Sequence, residues 1–177
     1  MIGRARLLTP IQKVARQSKA QQTLIAAEQS AETVLRFSEG RFHQTLHTES
    51  LDVWIKVLVK GRVGVTSTNS IHPKALKLAI DAAYHLAKLG GVKQTSILPI
   101  GNNGSKPKTP ATYVRRTETA SINPVMKRIE QERVKAAKAK TSLSGSMTIA
   151  ANELAVASSK SIGRYQPDTV CGIKFVA

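Results

Sequence analysis

Two histidines separated by three residues are the best candidates for metal ligands in this sequence. His43 and His47 stand in the stretch RFHQTLHTES, and this spacing would bring two imidazoles together on one face of a helix. The residues around them alternate between polar and apolar, however, which indicates a strand. In a strand the two positions lie about 13 Å apart, which is too far for one zinc ion. We therefore predict no metal, catalytic or cofactor-binding role for either histidine.

The remaining reactive groups lack the neighbours that their chemistry would require. Cys171 is the single cysteine, which excludes an internal disulfide and a multi-cysteine zinc site and fits a reducing compartment. A lone cysteine in a strand is most simply a small buried hydrophobe. No serine lies in a G-x-S-x-G elbow, and His72 and His85 belong to a predicted helix and its cap. We predict no catalytic residue and no cofactor in this chain.

The stretch GRVGVTSTNSIHPK has the outline of a phosphate-binding loop, since a strand enters it and a helix leaves it. Such a loop needs a second glycine followed directly by a lysine. Here Gly64 is followed by VTSTN, and the next basic residue, Lys74, lies beyond a proline. We favour the alternative of a strand end followed by a helix that Ser70 or His72 caps.

Hydrophobic periodicity predicts the elements that carry these residues. The predicted fold is α+β: an antiparallel sheet meander with packed helices, followed by a second helix and further strands of an incomplete central sheet. We expect a first helix near the N-terminus, strands over 23–27, 32–37, 41–48, 51–59 and 62–67, a helix over 73–89, a helix over 123–140, and strands over 142–149, 153–158 and 169–176.

The strand over 51–59 also predicts which face is buried. One set of alternating side chains should face the helix over 73–89, and it comprises Val53, Ile55, Val57 and Val59. The other set should face solvent, as in an antiparallel sheet covered on one side, and it comprises Trp54, Lys56, Leu58 and Lys60. In the helix, Leu86 is expected to broaden the buried stripe.

The predicted organisation has three parts. Residues 1–91 hold the first helix, the antiparallel strands and the helix, residues 92–119 form a basic loop, and residues 120–177 hold a helix and the strands that begin a central domain. The sequence stops inside the alternating strand VCGIKFVA, and an apolar strand edge normally needs a neighbour. We therefore expect either a partner at this strand or a longer protein of which this chain is the front part.

Positive charge is the main peculiarity of the composition. The formal net charge is +16 over 177 residues, which predicts attraction to polyanions such as nucleic acid. Proteins that bind single strands interleave aromatic and basic residues, but the basic stretch 93–140 contains Tyr113 as its one aromatic residue. A solvated basic surface is therefore the favoured interpretation, and a nucleic-acid-binding module remains the alternative.

No apolar run approaches the roughly 18–20 residues of a membrane span. The N-terminal stretch MIGRARLLTPIQKVARQSKA is basic and amphipathic, as transit peptides are. Its apolar residues also recur at helical spacing, so we interpret it as an ordinary first helix. We expect a cytoplasmic protein that has no membrane partner.

The order of several stretches resembles the N-terminal region of the TldD/PmbA metallopeptidase family. The similarity runs from about Arg4 to Ala177, and the stretches that carry it are FSEGRFHQT, VWIKVLVKGRVGVTSTN, HPKALKLAIDAAYHLAKL, NELAVASSKS and YQPDT. The chain departs from the family pattern in AVASSKSIG, where Ser159 replaces a common asparagine and Ser161 a common glycine.

The resemblance implies a non-catalytic part of a zinc peptidase subunit. The family's zinc motif, H-E-x-x-x-H with a later cysteine, lies in a C-terminal part that this sequence does not contain, so no site residue is carried over and the chain alone is expected to be inactive. The resemblance also implies pairing with a similar subunit, as a homodimer or heterodimer, and enclosure of a flexible peptide substrate. A truncated, non-catalytic partner subunit is a further alternative.

Overall fold

The computed structural model describes residues 1–39, 41–97, 111–160 and 162–176. Within these ranges the chain forms four helices and six strands. In chain order they are α1 (Arg4–Arg16), β1 (Gln22–Ser38), β2 (Arg41–Val59), β3 (Arg62–Thr68), α2 (Pro73–Gly90), β4 (Val92–Lys93), α3 (Arg115–Glu118), α4 (Asn123–Lys138), β5 (Ser144–Ser158) and β6 (Gly163–Val176). No helix in the described ranges has the length and apolarity that crossing a membrane would require.

The strands form one antiparallel sheet in the order β4-β3-β2-β1-β5-β6. The predicted α+β class and the antiparallel meander are therefore confirmed. The C-terminal strands join this same sheet beside β1, because β5 pairs with β1 on one side and with β6 on the other. A two-residue turn joins β2 to β3, and both of its residues, Lys60 and Gly61, have positive φ angles (48° and 71°), as a tight hairpin turn requires.

Several predicted strand ends were wrong. The predicted strand pairs 23–27 with 32–37, 41–48 with 51–59 and 142–149 with 153–158 are single strands, β1, β2 and β5. The polar residues between the two members of each predicted pair continue the strand and do not form a turn. The stretch YQPDT lies inside β6, which begins at Gly163, six residues before the predicted strand over 169–176. Pro167 is tolerated there because β6 is the last strand in the sheet order, where a missing N–H costs no ladder bond.

The chain divides into two compact units, and long strands contribute residues to both. The first comprises the described parts of Met1–Gln29, Ser50–Pro110 and Glu153–Gln166, and the second those of Ser30–Glu49, Ala111–Asn152 and Pro167–Ala177. The division predicted from the sequence, at residues 91 and 119, stays a prediction. The predicted basic loop contains β4 and α3, while its residues 98–110 lie outside the described residues.

The core of the first unit lies between the sheet and the helices α1 and α2. Both helices contribute apolar side chains to one cluster, among them Leu7, Ile11, Leu76 and Ile80. The β2 side chains that were predicted to face α2 belong to this cluster and are buried, namely Val53, Ile55, Val57 and Val59. The predicted face of this strand is confirmed, and Lys56 and Lys60 are exposed as expected.

Leu58 departs from the predicted solvent face of β2. Its side chain is buried in a small cluster with Val63 and Ile97, against which Leu24 also packs. The segment after β4 covers this part of the sheet, and the N–H of Gln94 donates to the carbonyl of Gly61 at 2.9 Å. The sequence could not indicate this burial because Ile97, which packs in the same cluster, lies far along the chain from Leu58.

Helix α2 approaches β3 so closely that β3 has no room for a side chain at Gly64. A Cβ atom built there would lie 1.9 Å from the carbonyl oxygen of Ala83. The next residue on the same face, Thr66, donates its hydroxyl to the carbonyl of Ala79 at 2.9 Å. Gly64, the second glycine of the GRVGVTSTN stretch, is therefore needed for helix packing.

Replacing Gly64 by alanine should destabilise the first unit by about 1–3 kcal/mol, the usual cost of overpacking a core. The obstacle is backbone, which cannot rotate away as a side chain would. Urea denaturation of the Gly64→Ala variant measures the effect. Gly172→Ala is the matched control, because a Cβ atom at Gly172 meets nothing within 4 Å. Equal stabilities for the two variants would contradict the close approach of α2.

The second unit has its own core beneath α4. Ile129 of this helix is buried in a cluster with Leu35, Phe37, Leu143, Met147 and Ile149. Met126 and Ala136 also pack against this cluster, whereas Val134 is exposed. On its outer face α4 carries ion pairs at helical spacing, which join Arg128 and Lys135 to Glu132 and Arg133 to Glu130.

Candidate interaction surfaces

The two candidate metal-binding histidines lie on β2, so the predicted strand is confirmed. The Nδ1 atom of His47 lies 2.9 Å from the hydroxyl of Thr33, and its Nε2 atom lies 3.3 Å from a carboxylate oxygen of Glu49. His43 Nε2 lies 3.2 Å from the carbonyl oxygen of Ser38. Within the described ranges, no three His, Cys, Asp or Glu side chains are grouped so that they could hold a metal ion.

His72 and Ser70 form the start of α2, as the helix-cap interpretation predicted. The Nδ1 atom of His72 accepts from the N–H of Lys74 at 3.4 Å, and the hydroxyl of Ser70 accepts from the N–H of His72 at 3.2 Å. Together with the packing role of Gly64, these contacts explain the GRVGVTSTNSIHPK stretch through helix capping and packing. The fourth histidine, His85, lies exposed on α2 with its ring edge-on to Tyr84.

Cys171 was expected to be a buried hydrophobe, and this expectation was wrong. Its thiol is free and exposed on β6. All seven residues from Val170 to Val176 are exposed, since at the end of the sheet order β6 has a strand neighbour on one side only among the described strands. The alternation of VCGIKFVA correctly indicated a strand but carried no information about burial.

Glu153 is a buried, hydrogen-bonded polar residue of the first unit for which no role was predicted. Its carboxylate is fully buried on β5 and accepts from the N–H groups of Ile2 at 2.5 Å and Gly3 at 2.8 Å. It also accepts from the hydroxyl of Tyr165 on β6 at 2.5 Å. Helix α1 has no side-chain cap at Gly3, so this carboxylate supplies the negative charge that a helix N-terminus favours.

A weak sequence signal for Glu153 does exist. It is an acidic residue in the run AANELAVA, which is otherwise apolar apart from Asn152, and its position alternates in phase with buried alanines. A buried charge requires hydrogen-bond partners, but two of the three, the N–H groups of Ile2 and Gly3, lie about 150 residues away at the start of the chain. Their identity could therefore not be read from the local pattern.

Replacing Glu153 by glutamine should destabilise the protein by about 1–3 kcal/mol, as expected when buried donors lose an acceptor. The amide keeps one oxygen, but its NH₂ group would meet groups that also donate. Thermal and urea unfolding measure the loss. Glu28→Gln, on the exposed side of β1, removes the same charge as a control. A Glu153→Gln variant as stable as this control would show that the three hydrogen bonds contribute little.

A row of hydrogen-bonded side chains crosses three strands in the second unit. The hydroxyl of Ser30 on β1 donates to Asn152 Oδ1 at 2.7 Å, and Asn152 Nδ2 on β5 donates to Asp168 Oδ2 on β6 at 3.0 Å. Asn152 therefore uses both ends of its amide. Asp168 directly follows Pro167, which has no N–H to donate. The row therefore holds β6 in the sheet next to this proline.

The exposed end of β6, residues 170–176, is a candidate surface for binding another chain, and we call it the β6 edge. It combines four exposed apolar side chains with one lysine, and the apolar residues are Val170, Ile173, Phe175 and Val176. An unpaired strand presents free N–H and C=O groups to another extended chain. The β6 edge can therefore bind an extended peptide or a strand of a neighbouring subunit.

A basic recess lies beside the turn between β2 and β3. It has a volume of about 370 Å³ and is lined by Lys60, Gly61, Arg62, Lys93, Gln94 and Thr95. Arg62 and Lys93 lie directly opposite each other on β3 and β4, and like charges in this position repel. The guanidinium of Arg62 donates to the carbonyl of Gly91 at 3.3 Å. This recess can attract an anion.

Tyr113, the single aromatic residue of the basic stretch 93–140, is engaged within the second unit. Its hydroxyl donates to the carboxylate of Glu118, and this hydrogen bond is the main cause of a lowered pKa for Glu118. The contact ties the segment before α3 to the end of that helix. The phenol hydroxyl is therefore already engaged within the second unit.

Replacing Tyr113 by phenylalanine should raise the pKa of Glu118 towards its ordinary value. The lowered pKa stabilises the folded state above the pKa of the unfolded chain, and this contribution disappears as the pH falls through the folded value. The variant should therefore lose stability at neutral pH and match the parent in acid. Carboxyl NMR titration measures the pKa, with Glu130, whose pKa Arg133 lowers, as the internal control. An unchanged titration of Glu118 would contradict the assigned cause.

Comparison with known proteins identifies the family. Residues 25–87 match the model of the PmbA/TldA metallopeptidase domain 1. Over this range the chain is similar to the first domain of the TldD/PmbA family. The matched range extends from Ile25 in β1 to Ala87 in α2, so it covers the hairpin, the β3–α2 packing and the capped helix. The resemblance seen in the sequence is confirmed, and no curated protein matches the sequence.

Solved TldD/PmbA-type structures share the fold of nearly the whole chain. TldE from Thermococcus kodakarensis aligns with a TM-score of 0.77 at 15% identity, over 94% of this chain and 42% of its own. A candidate modulator of DNA gyrase from Bacteroides thetaiotaomicron aligns with a TM-score of 0.70 at 17% identity, over 96% and 40%. A candidate modulator of a DNA gyrase from Thermotoga maritima gives 0.68 at 18% identity, over 84% and 33%. The chain thus spans less than half the length of these relatives.

Proposed function

We propose that this chain is the N-terminal, non-catalytic part of a TldD/PmbA-like zinc metallopeptidase subunit that acts on flexible peptides. The supporting observation is the match of residues 25–87 to the first metallopeptidase domain, together with a fold that covers about two fifths of the longer TldE chain. In this proposal zinc is held outside the present sequence. The present residues contribute to subunit pairing and to enclosure of the substrate.

The β6 edge gives this role a physical basis. An extended peptide can add to an open strand through main-chain hydrogen bonds, while alternate side chains provide selectivity. Such addition requires a segment whose own N–H and C=O groups are free, which favours flexible peptides over folded proteins. The row formed by Ser30, Asn152 and Asp168 holds β6 in the sheet at the start of this edge. A strand of a paired subunit could use the same groups.

Charge supports an anionic partner. The chain has a formal net charge of +16, and the basic recess adds a local concentration of positive charge at Lys60, Arg62 and Lys93. Charge of one sign speeds the association with surfaces of the opposite sign. We therefore propose a similar TldD/PmbA-type subunit with an acidic contact surface as the partner, and the cytoplasm as the compartment.

Co-purification tests this function. The chain is expressed with each TldD/PmbA-type subunit of the same genome that carries the H-E-x-x-x-H motif, and cleavage of casein peptides is measured. We expect a stable complex that cleaves the peptides and no cleavage by the chain alone. Zinc-dependent cleavage by the isolated chain, or the absence of any complex at micromolar concentrations, would contradict the proposal.

A matched pair of substitutions tests the role of the β6 edge in that complex. Ile173→Lys places a charge on the edge and should weaken peptide cleavage or complex formation about tenfold or more, because burying an unpaired charge is costly. Val134→Lys introduces the same charge on the outer side of α4 and should have little effect. The two side chains have similar exposed fractions, 49% and 44%. Equal effects would exclude the edge as the contact.

The basic recess supports a second candidate function, the binding of nucleic acid. Filter binding at two salt concentrations distinguishes nucleic-acid binding from the peptidase role, since phosphate contacts lose affinity steeply as the salt concentration rises. Changing Lys60 and Lys93 together to glutamine should then abolish binding. No retention of nucleic acid at low salt would end this alternative.

A further inference from the structure

Helix α2 carries a second apolar stripe that its own fold leaves uncovered. One side of the helix is buried in the first core through Leu76, Ile80, Ala83 and Ala87. Three leucines on another side remain exposed, Leu78 at 63%, Leu86 at 48% and Leu89 at 84%. Leu86 was predicted to broaden the buried stripe, and its exposure shows that it belongs to the second one. Leucines exposed to this degree along one helix mark a surface for contact with another chain.

The exposed stripe has the spacing of a helix–helix seam. Leu78, Ala82, His85 and Leu89 are all exposed and follow one another at intervals of four, three and four residues. This is the repeat by which two helices pack their side chains together. Leu86 borders the seam on one side, and the charged residues Asp81 and Lys88 border it on the other. We call these residues the α2 seam.

The charges beside the seam are complementary to themselves in an antiparallel pair. Placing Leu78 opposite Leu89 of a second copy also places the small Ala82 opposite the larger His85. Asp81 then lies within two residues, about 3 Å along the axis, of Lys88 in the second copy. The two-fold symmetry of such a pair forms this contact twice. A parallel pair would instead place Asp81 beside Leu86 and leave both charges unpaired.

Asp81 and Lys88 are free to make these contacts. Neither forms an ion pair with another described residue, and the ammonium of Lys88 lies 4.6 Å from the centre of the Tyr84 ring on the same helix. The opposed termini of α2 in an antiparallel pair also align the two helix dipoles favourably. Apolar spacing, size and charge therefore point to the same arrangement.

We propose that the α2 seam binds a second copy of this chain through antiparallel packing of the two α2 helices. The proposal rests on the pairing of similar subunits in the proposed function and adds a second surface, by which two copies of this chain associate. One helix pair buries less area than a standard interface, and the net charge of +16 opposes association. The expected dimer is therefore weak, and its population rises with protein concentration.

Sedimentation velocity over a wide range of concentrations, at about physiological salt, tests the seam. The chain should shift from monomer to dimer as its concentration rises. Leu78→Glu should weaken the dimer by at least about tenfold, because it would bury unpaired charges in the seam. Circular dichroism and thermal unfolding of each variant confirm that the exposed substitution leaves the fold intact. A chain that remains monomeric throughout would overturn the proposal.

Charge reversal tests the antiparallel geometry. Asp81→Lys and Lys88→Asp should each weaken the dimer several-fold, because each replaces two attractions by two repulsions. The double variant, which exchanges the two charges, should recover the affinity of the parent. Lys127→Asp makes the same charge change as Lys88→Asp at an exposed position of a different helix, α4, and serves as the control. Failure of the double variant to recover, or an equal effect of Lys127→Asp, would reject this arrangement.

The outcomes for the seam and for the proposed function can be distinguished. A dimer with the expected charge behaviour, but without a peptidase partner or cleavage, would support the seam and contradict the peptidase role. A monomeric chain whose peptidase complex is lost in Leu78→Glu would show that the seam binds a different chain and would overturn self-association.

Discussion

The buried carboxylate of Glu153 is the interaction on which the first unit depends most. A charge in the core is tolerated only when hydrogen bonds replace its lost hydration, and here Ile2, Gly3 and Tyr165 provide them. The same bonds join the entry of α1 to β5 and β6. Because α1 contributes Leu7 and Ile11 to the main core, the correct placement of this one acidic group and the packing of the core require each other.

The close packing of α2 on β3 adds a second constraint. Small residues and one side-chain hydrogen bond bring the helix backbone against the strand at Gly64 and Thr66. This directs one side of α2 firmly into the core and leaves the leucines of the α2 seam in solvent. The family match covers this strand and helix together. This part of the chain thus combines a close internal contact with an apolar outer surface.

The described surfaces offer groups that can bind another chain. The four histidines serve as strand neighbours, a helix cap and an exposed helix position, and the cysteine lies on an open edge. The β6 edge offers main-chain groups and apolar side chains, the α2 seam offers leucines with complementary charges, and the recess at Lys60 offers positive charge.

The sequence by itself determined the features that depend on local periodicity. Alternation placed His43 and His47 on a strand and oriented Val53, Ile55, Val57 and Val59 towards α2, and the proline after His72 marked the helix start. These signals are local because side-chain direction repeats every two residues in a strand and about every 3.6 in a helix.

Only the tertiary structure decided features that depend on distant partners. The position of β5 beside β1, the burial of Glu153 and Leu58, and the exposure of Cys171 and Leu86 all follow from which elements meet in space. The continuity of the long strands across their polar residues was missed for the same reason. Local pattern specifies the direction of a side chain, whereas its burial is specified by what packs against it.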